Sequence, residues 1–158
     1  SGWDYILSAL SEEFGELCEA YLTGTEEHKL SECGDLCWNM ALACKLLETN
    51  LDQVTFELKD YHYGRDADDP IVEFAIELGK FSGVFAKNAR KGYGRVLSEE
   101  NKQKVKTSLA KMYYILEEYV HRNGSYMAAV FNQNINKLEE RKRHNVLEGN
   151  GETIGERK

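Results

Sequence analysis

The chain has a single proline in 158 residues, four cysteines confined to its first 44 positions, and no long apolar run. The shortage of proline and of β-branched stretches removes the commonest interruptions to helix and predicts helix throughout. No segment approaches the roughly 20 consecutive apolar residues that cross a bilayer, and the first residues do not read as a secretory leader. Cys18, Cys33, Cys37 and Cys44 sit at spacings that suit the apolar sides of helices, with no Cys-x-x-Cys or paired histidine beside them. They read as reduced core thiols, not zinc ligands, which points to a cytoplasmic protein with no membrane partner.

What is present is charge, unevenly spread. The net of −7 argues against a protein that coats nucleic acid. Residues 1–70 hold 16 acids and 4 bases, whereas residues 71–158 hold 11 acids and 16 bases. Two helical surfaces attracting one another would explain this asymmetry, and so would a division of labour around a charged ligand.

Leu7, Leu10, Phe14, Leu17 and Tyr21 recur at gaps of three and four and predict a helix over residues 5–22. Thr25 reads as the N-cap of a second helix reaching about residue 48, and Asn50 as that of a short third reaching about residue 61. Asp69 and Pro70 open a fourth, stopped near the glycines of "KGYG". Ser98 opens a fifth, "NGS" at 123–125 turns the chain, and a sixth runs to about residue 144. "HYGRDADDP" reads as a linker and "EGNGETIGERK" as a tail without a core pattern. The order helix, loop, helix, turn, helix thus occurs twice. "EEFGEL" at 12–17 lies over "IELGKF" at 76–81, and "ECGDLCW" at 32–38 over "SLAKMYY" at 108–114. The expectation is an all-α bundle of two degenerate three-helix repeats, residues 1–66 and 67–144, sharing one interior, followed by a flexible tail from 145 to 158.

On a helical wheel of about 100° per residue, Glu12 and Glu19 lie opposite the stripe of Leu10, Phe14 and Leu17. Glu13 flanks that stripe beside Ile6, Ala9 and Ala20, with Glu16 a little further round. In the second helix Leu30, Cys33, Leu36, Met40 and Leu47 form one apolar face. Glu32, Asp35 and Asn39 share another, which Leu42, Ala43 and Leu46 continue, so the helix is expected to be covered on both sides with its acids turned inward. Two unit charges about 4 Å apart repel by about 4 kcal/mol at an effective dielectric of 20. A divalent cation relieves that repulsion, and an oxygen-only donor set favours Mg²⁺, with Mn²⁺ as a substitute. Two solvated acidic faces are the plain alternative. A di-iron site would want Glu-x-x-His pairs, and His28 precedes Glu32 instead of following it. Trp38, Tyr113 and Tyr114 fall at core spacing and read as packing before base stacking.

At these residues the chain resembles the MazG-like group of all-α nucleoside triphosphate pyrophosphohydrolases, which also includes the dimeric dUTPases and phosphoribosyl-ATP pyrophosphatase. The family pattern of Glu-x-x-Glu followed by Glu-x-x-Asp is matched by Glu13 and Glu16, then Glu32 and Asp35 of "ECGDLCW". "NINKLEERK" resembles the family's Asn-x-x-Lys-x-x-x-Arg segment through Asn134, Lys137 and Arg141, and the Gly-rich "LEGNGE" is also family-like. The second repeat departs from the metal pattern, with Lys80, Ser108 and Lys111 in place of Glu16, Glu32 and Asp35. The first departs from the phosphate pattern, with Leu58 and Tyr61 in place of Asn134 and Lys137, although Arg65 stands opposite Arg141. The resemblance implies two subunits fused into a pseudodimer, able to pair further as a homodimer, with one composite site.

It further implies Mg²⁺-dependent hydrolysis of a nucleoside triphosphate to the monophosphate and pyrophosphate. The metal would be held by Glu13, Glu16, Glu32 and Asp35, unless one of them, Glu16 first or Glu13, takes the proton of the attacking water instead of binding the ion directly. Asn134, Lys137 and Arg141 would bind substrate, Asn39 would orient it or the metal shell, and Lys87, Arg90 and Lys91 form a further basic cluster. The last three also suit a solvated helix C-terminus, which favours positive charge. The rival reading is a non-catalytic helical module that binds nucleotide or mediates assembly.

Overall fold

The structure, a computed structural model, describes residues 2–60 and 69–148, with side chains through residue 145. Most of the expected linker, the tail beyond residue 148, Tyr61 and Arg65 lie outside the described residues. Six helices make up the described chain, with no strand among the described residues: α1 (Gly2–Thr23), α2 (Glu26–Leu46), α3 (Leu51–Glu57), α4 (Pro70–Arg90), α5 (Glu99–Arg122) and α6 (Met127–Glu148).

Short polar caps set the starts where the sequence placed them. Thr25, Asn50 and Ser98 each accept a hydrogen bond from the backbone N–H three residues on, and Asp69 accepts from Ile71 and Val72 ahead of Pro70. The ends moved more. Helix α1 begins three residues earlier than the expected residue 5, where Trp3 packs against Phe85 with ring centroids 4.8 Å apart and holds the first turn. Helix α3 stops at Glu57, short of the expected residue 61, and α6 continues past residue 144 to Glu148.

Helix α1 packs along α2, and α4 along α5; α2 meets α5 in the middle. Helix α6 packs on α2, and α3 packs mainly on α5. Helices α1 and α4 touch through aromatic rings, Phe14 on Phe74 at 5.2 Å and Trp3 on Phe81 at 6.3 Å. One apolar interior results, in which Leu10, Leu17, Leu36, Met40, Phe81 and Leu109 are wholly buried. Cys33, Cys37 and Cys44 are buried and free, and burial pushes the thiols of Cys37 and Cys44 up to about 12.

The turns after α2 and α5 have the same form. Thr49 N–H donates to the Cys44 carbonyl at 3.0 Å in one, and Ser125 N–H to the Val120 carbonyl at 3.1 Å in the other. Each needs a left-handed residue, supplied by Glu48 (φ 59°) and Gly124 (φ 79°). Trp38 meets Phe131 across α2 and α6 at 6.2 Å, while the Tyr114 hydroxyl donates to the Thr55 carbonyl across α5 and α3.

Candidate functional site

Three carboxylates converge between α1 and α2. Glu13, Glu16 and Glu32 each present an oxygen within 4.8 Å of the others. The wheel positions account for this: Glu12 and Glu19 are exposed, Glu13 and Glu16 lie partly covered beside the buried stripe, and Glu32 is only 7% exposed. Asn39 is buried on the same face of α2, but the apolar cover thins beyond it, for Leu46 is 44% exposed.

Burial raises the proton affinity of Glu13 and Glu32. Glu13 is pushed up to about 8, first by desolvation and then by the charge of Asp35, by a hydrogen bond shared with Glu32, and by Glu16 and Glu32. Glu32 is pushed up to about 7, again mainly by desolvation, with the protonated Glu13 donating to it and so lowering it in part. His28 Nε2 lies 3.3 Å from Glu32 Oε1. Among the described residues no N–H or hydroxyl reaches Glu32 Oε2, Asn39 Oδ1 or Asn134 Oδ1, all three of them buried. Buried acceptors of this kind are costly unless a cation, a water or a ligand donor meets them.

Helix α6 closes the other side. Asn134, 4% exposed, donates through Nδ2 to Asp35 Oδ1, and Lys137 Nζ donates to the same oxygen at 3.0 Å and to Ser31 Oγ at 3.2 Å. The approach depends on Gly34. A Cβ at that position would stand 3.1 Å from both Asn134 Cβ and the Val130 carbonyl, so any larger residue would hold the helices apart.

The expected residues therefore divide. Glu13, Glu16, Glu32, Asp35, Asn39, Asn134 and Lys137 come together at the meeting of α1, α2 and α6. Asp35 stands a step aside from the three glutamates, engaged by Asn134 and Lys137, while Asn39 donates to the Asp35 backbone carbonyl at 3.1 Å. Arg141 lies a turn further along α6, beside a shallow cleft with His144 and Asn145. Lys87 and Lys91 line a different groove, between α4 and α5, and Arg90 is exposed outside it. Sequence reasoning missed Gly34 and Ser31. The glycine inside "ECGD", a poor helix former at mid-helix, was the signal for a close approach.

Comparison with protein-family models, with curated proteins and with solved structures found no match.

Proposed function

We propose that this chain hydrolyses a nucleoside triphosphate between the α and β phosphates at one composite site, with carboxylates from α1 and α2 and phosphate-binding groups from α6. The observation that carries the reading is the meeting of Asp35 with Asn134 and Lys137, residues about a hundred positions downstream, beside the cluster of Glu13, Glu16 and Glu32.

The donor set fits a hard divalent cation. Three converging carboxylates, one with a buried oxygen that no donor among the described residues reaches, supply oxygen ligands that metal binding would relieve of mutual repulsion. Glu13, Glu16 and Glu32 would hold Mg²⁺, with Asp35 adjoining. Bound there, the ion supplies charge neutralisation at the phosphate oxygens and a lowered pKa for the attacking water. The chain's own groups do the rest. Lys137, on the rim of the cluster, binds phosphate oxygens as a point charge, and Asn134 fixes the orientation of Asp35 and offers Oδ1 to a substrate donor. Whichever of Glu16 and Glu13 is left unligated by the ion, Glu16 first, takes the proton of the attacking water.

The pseudodimer belongs to the same proposal. It is supported by the exchanged packing of α3 and α6, and by Trp38 on α2 meeting Phe131 on α6 where Tyr114 on α5 meets Thr55 on α3. A second reading, nucleotide binding without turnover, is favoured by one observation: Asp35 is already paired with Lys137 and stands outside the three-carboxylate cluster.

The deciding experiment is a panel of standard and modified nucleoside triphosphates with Mg²⁺, scored for pyrophosphate against orthophosphate. Pyrophosphate from at least one substrate is expected. Binding across the panel without turnover would establish the second reading instead.

A further inference from the structure

A second concave surface lies between α4 and α5, with a volume of about 920 Å³ and no lining residue in common with the acid cluster. That volume suits a small ligand. Its walls carry Lys80, Lys87, Lys91, Lys104 and Lys111 against two acids, Glu77 and Glu100. Glu77 is only 2% exposed and has Lys80 at 3.4 Å, and Glu100 has Lys104 at 3.5 Å. Lys87 and Lys91 make no ion pair among the described residues.

The wall between the lysines is bare. Gly79 and Gly83 sit one turn apart on α4, and a Cβ added at either would meet nothing within 4 Å among the described residues. Thr107 and Ser108 offer hydroxyls from α5. A concave surface with five ammonium groups concentrates multivalent anions, and lysine binds phosphate well as a mobile point charge. A divalent cation, by contrast, is repelled from it.

We propose that the α4–α5 groove binds a small molecule carrying a chain of phosphates, either a nucleoside polyphosphate or an inorganic oligophosphate, without the help of a divalent metal. The phosphates bridge Lys87 on α4 and Lys91 at its C-cap to Lys104 and Lys111 on α5, and the bare strip at Gly79 and Gly83 leaves room for the remainder of the ligand. This site is independent of the carboxylate site and does not require turnover there.

The test is calorimetry on the full chain in EDTA at low salt, with a nucleoside triphosphate and with tripolyphosphate as separate probes. Binding of both assigns recognition to the phosphate chain, and binding of the nucleotide alone adds the nucleoside; either result supports the site. The double variant Lys87→Glu/Lys91→Glu should weaken binding by about tenfold or more. Gly83→Leu, which points into open space, should also weaken it without lowering the melting temperature, whereas Lys137→Ala at the other site should leave it unchanged. No binding in EDTA, or binding indifferent to the lysine and glycine variants, overturns the proposal. Displacement by a single-stranded oligonucleotide that binds more tightly than either probe also overturns it, in favour of a nucleic-acid surface.

Discussion

Lys137 Nζ lies 3.0 Å from Asp35 Oδ1, an ion pair that joins the last helix of the chain to the second. Both side chains are about a quarter exposed, which leaves the lysine reachable by a ligand and limits how far water screens the pair. Beside it, burial and neighbouring charge raise the proton affinity of Glu13 and Glu32. The acids of the first half and the cation of the second therefore meet at one place, and the uneven charge along the chain acquires a local meaning.

The roles of the two partners separate by kinetics. Asp35→Asn should abolish pyrophosphate release, since it removes a carboxylate beside the cluster and the partner of both Asn134 and Lys137. Lys137→Ala should raise the Michaelis constant by about tenfold or more, the worth of one charge-assisted contact to phosphate. It should leave Mg²⁺ affinity, measured by calorimetry, unchanged or tighter. An unchanged Michaelis constant would remove Lys137 from the substrate site.

The pH dependence has a definite sign. Glu13 and Glu32 rise from 4.5 to about 8 and about 7 in the folded protein. A carboxyl raised on folding contributes stability that is fully present below its unfolded pKa and is lost as pH climbs through the folded value. The metal-free protein should therefore melt at a lower temperature at pH 8 than at pH 5.5. Glu13→Gln should flatten that slope and raise the melting temperature at pH 8 by a few degrees, at about 2–4 °C per kcal/mol for a chain of this size. Stabilisation by Mg²⁺ should grow over the same interval, because the ion competes with the protons. Thermal melts at several pH values, with Mg²⁺ or EDTA, check both; a flat profile in EDTA would show that the acids are not crowded.

Much of this was legible in the sequence, for identifiable reasons. The caps at Thr25, Asn50, Asp69 and Ser98 act within one turn, so local chemistry fixed the helix starts. The inward turn of Glu13 and Glu32 followed from the period of the apolar residues around them. The stop of α3 at Glu57 and the early start of α1 depend on contacts between distant residues, as with Trp3 on Phe85, which no local pattern encodes. The basic trio at the end of α4 carried charge but no sign of its neighbours, so Lys87 and Lys91 could not be placed in the α4–α5 groove in advance.

The two matching turns offer a stability test. Glu48 holds a φ of 59°, a conformation that costs an L-residue about 1 kcal/mol or more, while Gly124 adopts its counterpart freely. Glu48→Gly should stabilise the protein by about 0.5–1 kcal/mol. Gly124→Ala should destabilise it by a similar amount. Urea unfolding at fixed pH measures both, and equal small effects of the same sign would contradict the shared geometry.

Gly34 permits a sharper test, because helix propensity and packing act there in opposite directions. Replacing a mid-helix glycine by alanine ordinarily stabilises by up to about 1 kcal/mol. At Gly15 in α1, where a Cβ would meet nothing within 4 Å, that gain should appear in full. At Gly34 the new methyl meets Asn134 Cβ and the Val130 carbonyl, each at 3.1 Å. Both belong to α6, so relief requires the helix to move as a body, and overpacking of this kind costs about 1–3 kcal/mol. Gly34→Ala should therefore be destabilising by about 1 kcal/mol where Gly15→Ala is stabilising. It should also draw Asn134 and Lys137 away from Asp35 and raise the Michaelis constant as Lys137→Ala does. Equal stabilisation by both alanines would mean that α2 and α6 are free to separate there, and the proposed composite site would lose the contact on which it is built.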